Sequence, residues 1–332
     1  MNARTPRITV LAGGVGGSRF LVGMRETVRR RGIDRAQDHL VAIVNTGDDL
    51  WLSGIRLQPD IDSILYALAG VNDAERGWGR REETERVARE LRSWGAGWPW
   101  FTLGDLDLGT HIARTGWLRD GLTPTQVVEL LGRRWDLGVR MLPMTDTEVD
   151  TLVTVRDGDD VRQLHFQEWW TRHRAALTPL RFDNPGIDSA LPAPGVTEAI
   201  LDADVVVLAP SNPVVSIGPI LAVPGMRTAL QSTKARVVGV SPIIDGAVVR
   251  GMADICLEAL GVATSADTVA ALYGARERGG LLDAWLVAEE DRALVPAIRE
   301  IGIRALVAPL WMHGGTASAD VAEAALGASG FE

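Results

Sequence analysis

One cysteine, Cys256, and one lysine, Lys234, stand in a chain of 332 residues. A single thiol excludes an internal disulfide and any cysteine-rich zinc site, so structural zinc and dithiol redox chemistry drop out together. Arginine carries nearly all of the positive charge, and a phosphate site here must rely on guanidinium, backbone N–H or a metal. Long apolar runs are also missing. Stretches such as "DVVVLAP" and "RALVAPLWM" fall far short of the roughly 20 residues that a membrane helix needs. The opening "MNARTPR" has no apolar signal core, and we expect a cytoplasmic protein with no membrane partner. Basic charge is in deficit, with 34 basic against 43 acidic residues and a net charge of −9. The phosphate backbone of a nucleic acid would be repelled, so no nucleic-acid partner is expected.

What is present is a βα rhythm. "ITVLAG", "LVAIVNTG", "VVVLAPS", "RVVGVSP", "AWLVAEE" and "RALVAPL" are short, mostly rich in β-branched residues and apolar on both faces, as buried parallel strands are. "WPWFTL" also reads as a strand. Between the strands lie helical patterns. Ser18 to Arg30 puts Phe20, Leu21, Met24 and Val28 on one stripe, and "TPTQVVELLGRRW" opens with Thr123 as N-cap, Pro124 at the first helical position and Gln126 at the capping-box position. The fold class expected is α/β: a doubly wound, Rossmann-like, mostly parallel sheet with a smaller inserted domain. The rhythm changes over 139–199, where "TLVTVRDGDDVRQLHFQEWW" reads as two strands joined by an Asp-Gly turn. We therefore expect a core domain of 1–138 and 200–332 with an inserted small domain or flap at 139–199.

Three clusters carry chemistry. In "ITVLAGGVGGSRF" four glycines, Gly13, Gly14, Gly16 and Gly17, follow the first strand. A P-loop would continue with lysine, and the dinucleotide fingerprint would have a third glycine where Arg19 stands. The physical use survives the failed motifs, because a glycine turn opening a helix presents free N–H groups and a positive helix end to an anion. If that backbone approaches a phosphate, a Cβ at Gly14 or Gly16 should disturb the ligand before the fold; the alternative is a tight turn touching nothing.

The second cluster, "NTGDDLWLSGIRLQPDID", brings Asn45, Asp48 and Asp49 past the second strand and Asp60 and Asp62 to the start of a helix. Carboxylates beside a phosphate site are how proteins hold Mg²⁺, although aspartate before an apolar run also serves as a helix cap. Further on, "GDLDLGTHI" adds Asp105, Asp107, Thr110 and His111, the histidine reading equally as a core residue or a substrate contact. The third cluster is "LAPSNPVVSIGPIL", where Ser211, Asn212 and Ser216 flank a helix start, followed by Ser241, Pro242 and Arg250 in "VSPIIDGAVVRGMA". Together these suggest an enzyme that holds a phosphorylated molecule across a metal.

The blocks "GGVGG", "NTGDDLW", "PDIDSILY", "GDLDLGTHI", "HFQEWW", "APSNPVVSIGPIL" and "VSPIIDG…RGMAD" closely resemble, in order and over nearly the whole chain, the 2-phospho-L-lactate transferase family (CofD/FbiA). The resemblance implies a homodimeric, Mg²⁺-dependent enzyme of coenzyme F-420 biosynthesis. Such an enzyme moves a phosphoenolpyruvyl or 2-phospho-L-lactyl group from its guanosine diphosphate ester to the 5′-hydroxyl of the deazaflavin Fo and releases GMP. "HFQEWWTRHR" and the arginine-rich, tryptophan-rich composition are similar to the actinobacterial branch, whose donor is the enolpyruvyl form. On that reading Asp49 and Asp62 hold Mg²⁺ and are the catalytic residues. The four glycines with Ser211, Asn212 and Ser216 cradle the donor's diphosphate and guanosine, Thr102, Asp105 and Thr110 line the Fo side, Phe166, Glu168 and Trp169 close over its ring, and Asn45, His111, Ser241 and Arg250 are further substrate-binding residues. Packing of the insertion is the alternative for the Trp169–Trp170 pair. Two rivals are a non-catalytic nucleotide-binding regulator with a similar "SNP" element, against which the four aspartates and "HFQEWW" speak, and an NAD-dependent oxidoreductase, weakened by the absent third glycine.

Overall fold

A computed structural model of the chain describes residues 5–33, 35–97 and 100–330. Its strands are β1 (Ile8–Ala12), β2 (Leu40–Val44), β3 (Leu50–Leu52), β4 (Ile55–Leu57), β5 (Arg140–Pro143), β6 (Leu152–Asp157), β7 (Asp160–His165), β8 (Thr178–Asp183), β9 (Val205–Leu208), β10 (Arg236–Val240), β11 (Ile243–Ile244), β12 (Ala247–Val248), β13 (Ala284–Val287) and β14 (Arg304–Val307). Seven of them form one sheet in the order β14-β13-β10-β9-β1-β2-β5. Every pair in it is parallel, and in register Ile8 lies between Leu40 and Val205.

The alternation of side chains along each strand builds a separate core on each face. Val10, Ala12, Val205 and Val207 join Phe20, Leu21 and Met24 on one side. Leu11, Val206 and Leu208 join Ile217, Ile220 and Trp285 on the other. Burial on both faces is why these strands read as unbroken apolar runs.

Strand order turns outward in both directions from β1 and β9, so the crevice above their C-terminal ends is the topological switch point where open α/β sheets take ligands. Helix α1 (Gly14–Arg30) leaves β1 there, and α2 (Pro59–Ala69) follows the β3–β4 hairpin with proline at its first position. Two further helices, α3 (Arg86–Ser93) and α4 (Asp105–Arg119), pack beyond them. The helix of Pro124–Gly132 carries the expected capping box, with Thr123 and Gln126 satisfying each other's backbone N–H.

Three sequence expectations are corrected. The first helix begins at Gly14, not Ser18, so Gly14, Gly16 and Gly17 are its opening turn. "WPWFTL" forms no strand over 100–103, and 98–99 lie outside the described residues. The first strand within 139–199, β5, is the edge of the main sheet; the smaller antiparallel sheet, β7-β6-β8, is built from residues 152–183. Its turn has Gly158 at φ +63°, a left-handed position that suits the Asp-Gly signal. No helix among the described residues is long and apolar enough to cross a membrane.

Candidate functional site

The glycine turn and the loop after β9 close on each other. Ser211 Oγ accepts from Gly13 N–H at 3.1 Å and donates to the Gly13 carbonyl at 2.7 Å. A Cβ on Gly16 would overlap the backbone carbonyl of Pro210, and one on Gly17 would press on Ser211 and Ala12. The close approach that these glycines permit is therefore an approach of protein to protein. Gly14 differs, for its φ is +60° and a Cβ there meets only Asp60 at 3.8 Å. Asn212 organises its own loop: its Oδ1 accepts from the Val214 and Val215 amides at 2.9 and 3.2 Å. Ser216, buried, closes the loop beside Gly13.

The expectation that a Cβ at Gly16 disturbs the ligand first is thus corrected. Gly16→Ala is expected to destabilise the protein by roughly 1–3 kcal/mol, the usual cost of overpacking, because a backbone carbonyl has to move. Urea unfolding checks this; an unchanged midpoint with weakened donor binding would restore the ligand-contact reading.

The four aspartates do not converge on one point. Successive helical residues are turned by about 100°, so Asp60 and Asp62 at the start of α2 face nearly opposite directions. Asp60 turns to the sheet, where Asn45 Nδ2 donates to it at 2.9 Å and to Asp48 at 3.3 Å. The Gly14 amide also donates to Asp60, so the opening N–H of α1 already carries a carboxylate. Burial raises both acids: Asp60 is pushed up to about 6, and Asp48, with Asp60 and Asp49 adding like charge, lies well above the carboxylate range. No arginine is paired with either among the described residues. Asp60 is not the N-cap of its helix; that position is Gln58.

Asp62 faces the other way, where Arg114 of α4 takes both of its oxygens, one at 3.0 Å. Arg114 is fully buried, and its Nη1 also donates to the Arg56 carbonyl at 3.3 Å and to His111 Nδ1 at 2.9 Å. That contact makes Nδ1 the acceptor and leaves the His111 proton on Nε2, which faces Asp107 Oδ1 at 3.2 Å. The Tyr66 hydroxyl donates to the same oxygen at 2.7 Å. Asp62, Asp107 and His111 bring their ligand atoms within 4.8 Å of one another, but a cation there would have to displace a buried guanidinium. Asp49 lies between the two groups: Gln58 Nε2 donates to its Oδ2 at 2.7 Å and Arg56 stands at 3.7 Å. Its Oδ1 has no partner among the described residues. Burial, outweighing Arg56 and Gln58, pushes its carboxyl up to about 8.

The other predicted residues are dispersed. Asp105 accepts from the amide and hydroxyl of Thr84, both at 2.8 Å, and so ties the preceding loop to α4. Thr102 is half-buried just before α4, Thr110 is buried along it against Tyr66, and Ser241 is spent on the Ile243 backbone. Glu168 pairs with Arg172 at 2.7 Å. Trp169 is wholly buried, donates its indole N–H to the Leu177 carbonyl at 2.8 Å, and packs against Phe166 and Phe182. A ring in that position cannot stack on a ligand, so the expected lid residue is the core of the insertion. This core includes Met252 and Cys256, and Asn212 Nδ2 contacts the Cys256 sulfur at 3.6 Å. His165 holds the Asp49 carbonyl at 3.1 Å, which fastens the insertion to the acidic loop.

Sequence reasoning missed Arg56, Gln58, Glu83 and Arg114. Glu83, its side chain fully buried, accepts from Asp107 N–H at 3.1 Å at the start of α4 and from Arg76 at 3.0 Å. The only signal for Arg114 was its spacing, three and seven residues after His111 and Asp107 on one helical face.

A family model described as 2-phospho-L-lactate transferase CofD matches residues 8–300. The chain is 47% identical over 333 residues to a protein of Nocardia farcinica named phosphoenolpyruvate transferase, covering 99% of this chain and 97% of that one. It is 47% identical over 328 residues to one of the same name from Mycolicibacterium smegmatis, covering 98% and 99%. A crystal structure of a Bacillus halodurans protein superposes with a TM-score of 0.60 at 18% identity, covering 97% of this chain and 100% of that one; at that identity the likeness concerns the fold alone.

Proposed function

The chain belongs to the 2-phospho-L-lactate transferase CofD family, and from that premise we propose that it is a transferase of coenzyme F-420 biosynthesis acting on a guanosine diphosphate ester of a three-carbon acid. The acceptor is the 5′-hydroxyl of Fo and the leaving group GMP. Near end-to-end similarity to proteins named phosphoenolpyruvate transferase is the observation that carries this reading, and it favours the enolpyruvyl donor. The acceptor oxygen bonds to the phosphorus that bears the three-carbon acid. The bond from that phosphorus to the oxygen of GMP breaks in line, and the hydroxyl proton passes to a base or to water. Such a reaction asks the protein mainly for positioning and charge neutralisation.

The donor set fits a divalent cation at Asp48 and Asp60. Two buried carboxylates there share one amide donor and have no cationic partner, whereas Asp62 is already neutralised by Arg114. We therefore assign Mg²⁺ to Asp48 and Asp60, with Asp49 as the neighbouring acid, in place of the expected Asp49–Asp62 pair. When bound, the ion supplies charge neutralisation at the transferring phosphoryl group. Asn45 holds the two carboxylates in place, and Gly14 leaves room beside them. The loop of Ser211–Ser216 walls the crevice for the diphosphate and nucleoside.

Incubation with Fo, the enolpyruvyl guanosine diphosphate ester and Mg²⁺ tests the reading. GMP and the coupled deazaflavin product should appear in equal amounts, and only with acceptor present. GMP release without Fo, or no product from either the enolpyruvyl or lactyl donor, would overturn it.

A further inference from the structure

β7 ends at His165, and the alternation of side chains along a strand sorts its last residues between two faces. Leu164 and Phe166 turn into the core of the insertion with Val153, Trp169 and Val215. His165 between them points the other way, to the loop after β2 that carries Asp48 and Asp49. Its Nε2 lies 3.1 Å from the Asp49 carbonyl, and its Nδ1 accepts from the Gln167 amide at 3.1 Å. A carbonyl only accepts and a backbone amide only donates, so the ring is neutral with its proton on Nε2. Arg250, expected as a substrate residue, is tied instead to the Arg76 carbonyl at 2.8 Å.

A second hydrogen bond reaches the same loop from the insertion. The amide of Thr151, immediately before β6, donates to the Gly47 carbonyl at 2.6 Å. The carbonyls of the residues before and after Asp48 are thus both held by the insertion. The seat is close: a Cβ on Gly47 would lie 2.8 Å from Thr151 Oγ1, and Asn184 Nδ2 donates to that oxygen at 2.9 Å. Within the loop, Gly47 N–H donates to Asn45 Oδ1 at 2.9 Å and Asp49 N–H to the Thr46 carbonyl at 3.3 Å. Asn45 Nδ2, which contacts both Asp48 and Asp60, also donates to the Val215 carbonyl at 3.2 Å, and Val215 packs in the insertion's core.

We propose that His165 is a positioning residue: from the insertion it fixes the Asp49 carbonyl and, with the Thr151 amide, clamps the backbone around Asp48 so that the Asp48 carboxylate stays beside Asp60. The two carboxylates repel when both are ionised, and hydrogen bonds on either side of Asp48 resist the rotation that would part them. A group that acts on a transferring phosphoryl must be held to a fraction of an ångström. Thr151 gives a backbone amide, so His165 is the member of the clamp that a side chain supplies. Its role in turnover rests on the transferase reading; the clamp itself does not.

Three variants test this. His165→Leu removes both ring contacts, His165→Gln returns an N–H donor, and Gln163→Leu, exposed and two residues back on the same face of β7, controls for an apolar side chain on that strand. His165→Leu should lower kcat by about tenfold or more, as a displaced catalytic group does, with KM for both substrates unchanged, and should lose most of the Mg²⁺-induced rise in unfolding midpoint. His165→Gln should recover both, and Gln163→Leu should behave as the wild type. The chain has five histidines, so the ¹⁵N signals of this ring are assigned by their absence from His165→Gln, and the wild type should show the neutral Nε2–H form. Wild-type kcat or a full Mg²⁺ response in His165→Leu, no recovery in His165→Gln, an equal loss in the control, no Mg²⁺ response in the wild type, or a proton on Nδ1 overturns the clamp. If the wild type forms no product, while the Mg²⁺ response is lost in the leucine variant and regained in the glutamine variant, the transferase reading falls and the clamp stands.

Discussion

Asp60→Asn should lower turnover by roughly 10²-fold or more, the scale of removing one preorganised charge-stabilising group, while the protein stays folded. The amide keeps an acceptor oxygen for Asn45 or Gly14 but brings no negative charge to a cation. Stability should move the other way. The folded-state pKa of Asp60, about 6, lies above its ordinary 3.8, so the folded protein holds the proton more tightly than the unfolded chain. Its contribution to stability is therefore present below about pH 4 and lost as pH rises through 6, a cost of roughly 3 kcal/mol at neutral pH without a divalent cation. The asparagine variant escapes that cost. Added Mg²⁺ should raise the unfolding midpoint of the wild type at pH 7.5 and leave the variant unmoved. An Asp60→Asn protein with wild-type turnover and an intact Mg²⁺ response would remove Asp60 from the cation site.

How much of this was legible follows from what sequence patterns encode. The parallel sheet was readable because burial on both faces leaves unbroken apolar runs, and the rim was readable because polar and glycine residues follow those runs at β1, β2, β9 and β10. Glycine announces close approach without saying to what; at Gly16 the neighbour is the Pro210 carbonyl, 194 residues away in sequence. The separation of Asp60 from Asp62 was available from helix geometry alone, since residues two apart cannot share a face. Reading "PDID" as one cluster overlooked it. Arg114 and Glu83 were not legible, because their charges are assigned by partners 52 and 24 residues distant, and a lone arginine on a mixed helix carries no mark of burial. Trp169 misled for a related reason: an aromatic run has the same appearance whether it packs a small sheet or receives a ring.

Arg114→Met should be the most destabilising single change in the site, by about 3–5 kcal/mol, because removing one partner of a buried ion pair strands the other. Both oxygens of Asp62 lose their donor at once, with Asp107 and Asp49 nearby to repel the exposed charge. The backbone carbonyl of Arg56 loses its donor too, which loosens the hairpin that precedes α2. Methionine keeps most of the volume, so a cavity contributes little and the charge carries the effect. Adding Asp62→Asn to Arg114→Met should then recover part of the loss, since a neutral amide is far cheaper to bury than an unpaired carboxylate. Chemical denaturation of the wild type, both single variants and the double variant closes a cycle, and the geometry expects a coupling of at least about 1 kcal/mol, as contacting residues show. The single variant Asp62→Asn should retain the Mg²⁺-induced rise in unfolding midpoint that Asp60→Asn loses. Strictly additive losses in the cycle, together with a missing Mg²⁺ response in Asp62→Asn, would return Asp62 to the metal and leave Arg114 a bystander.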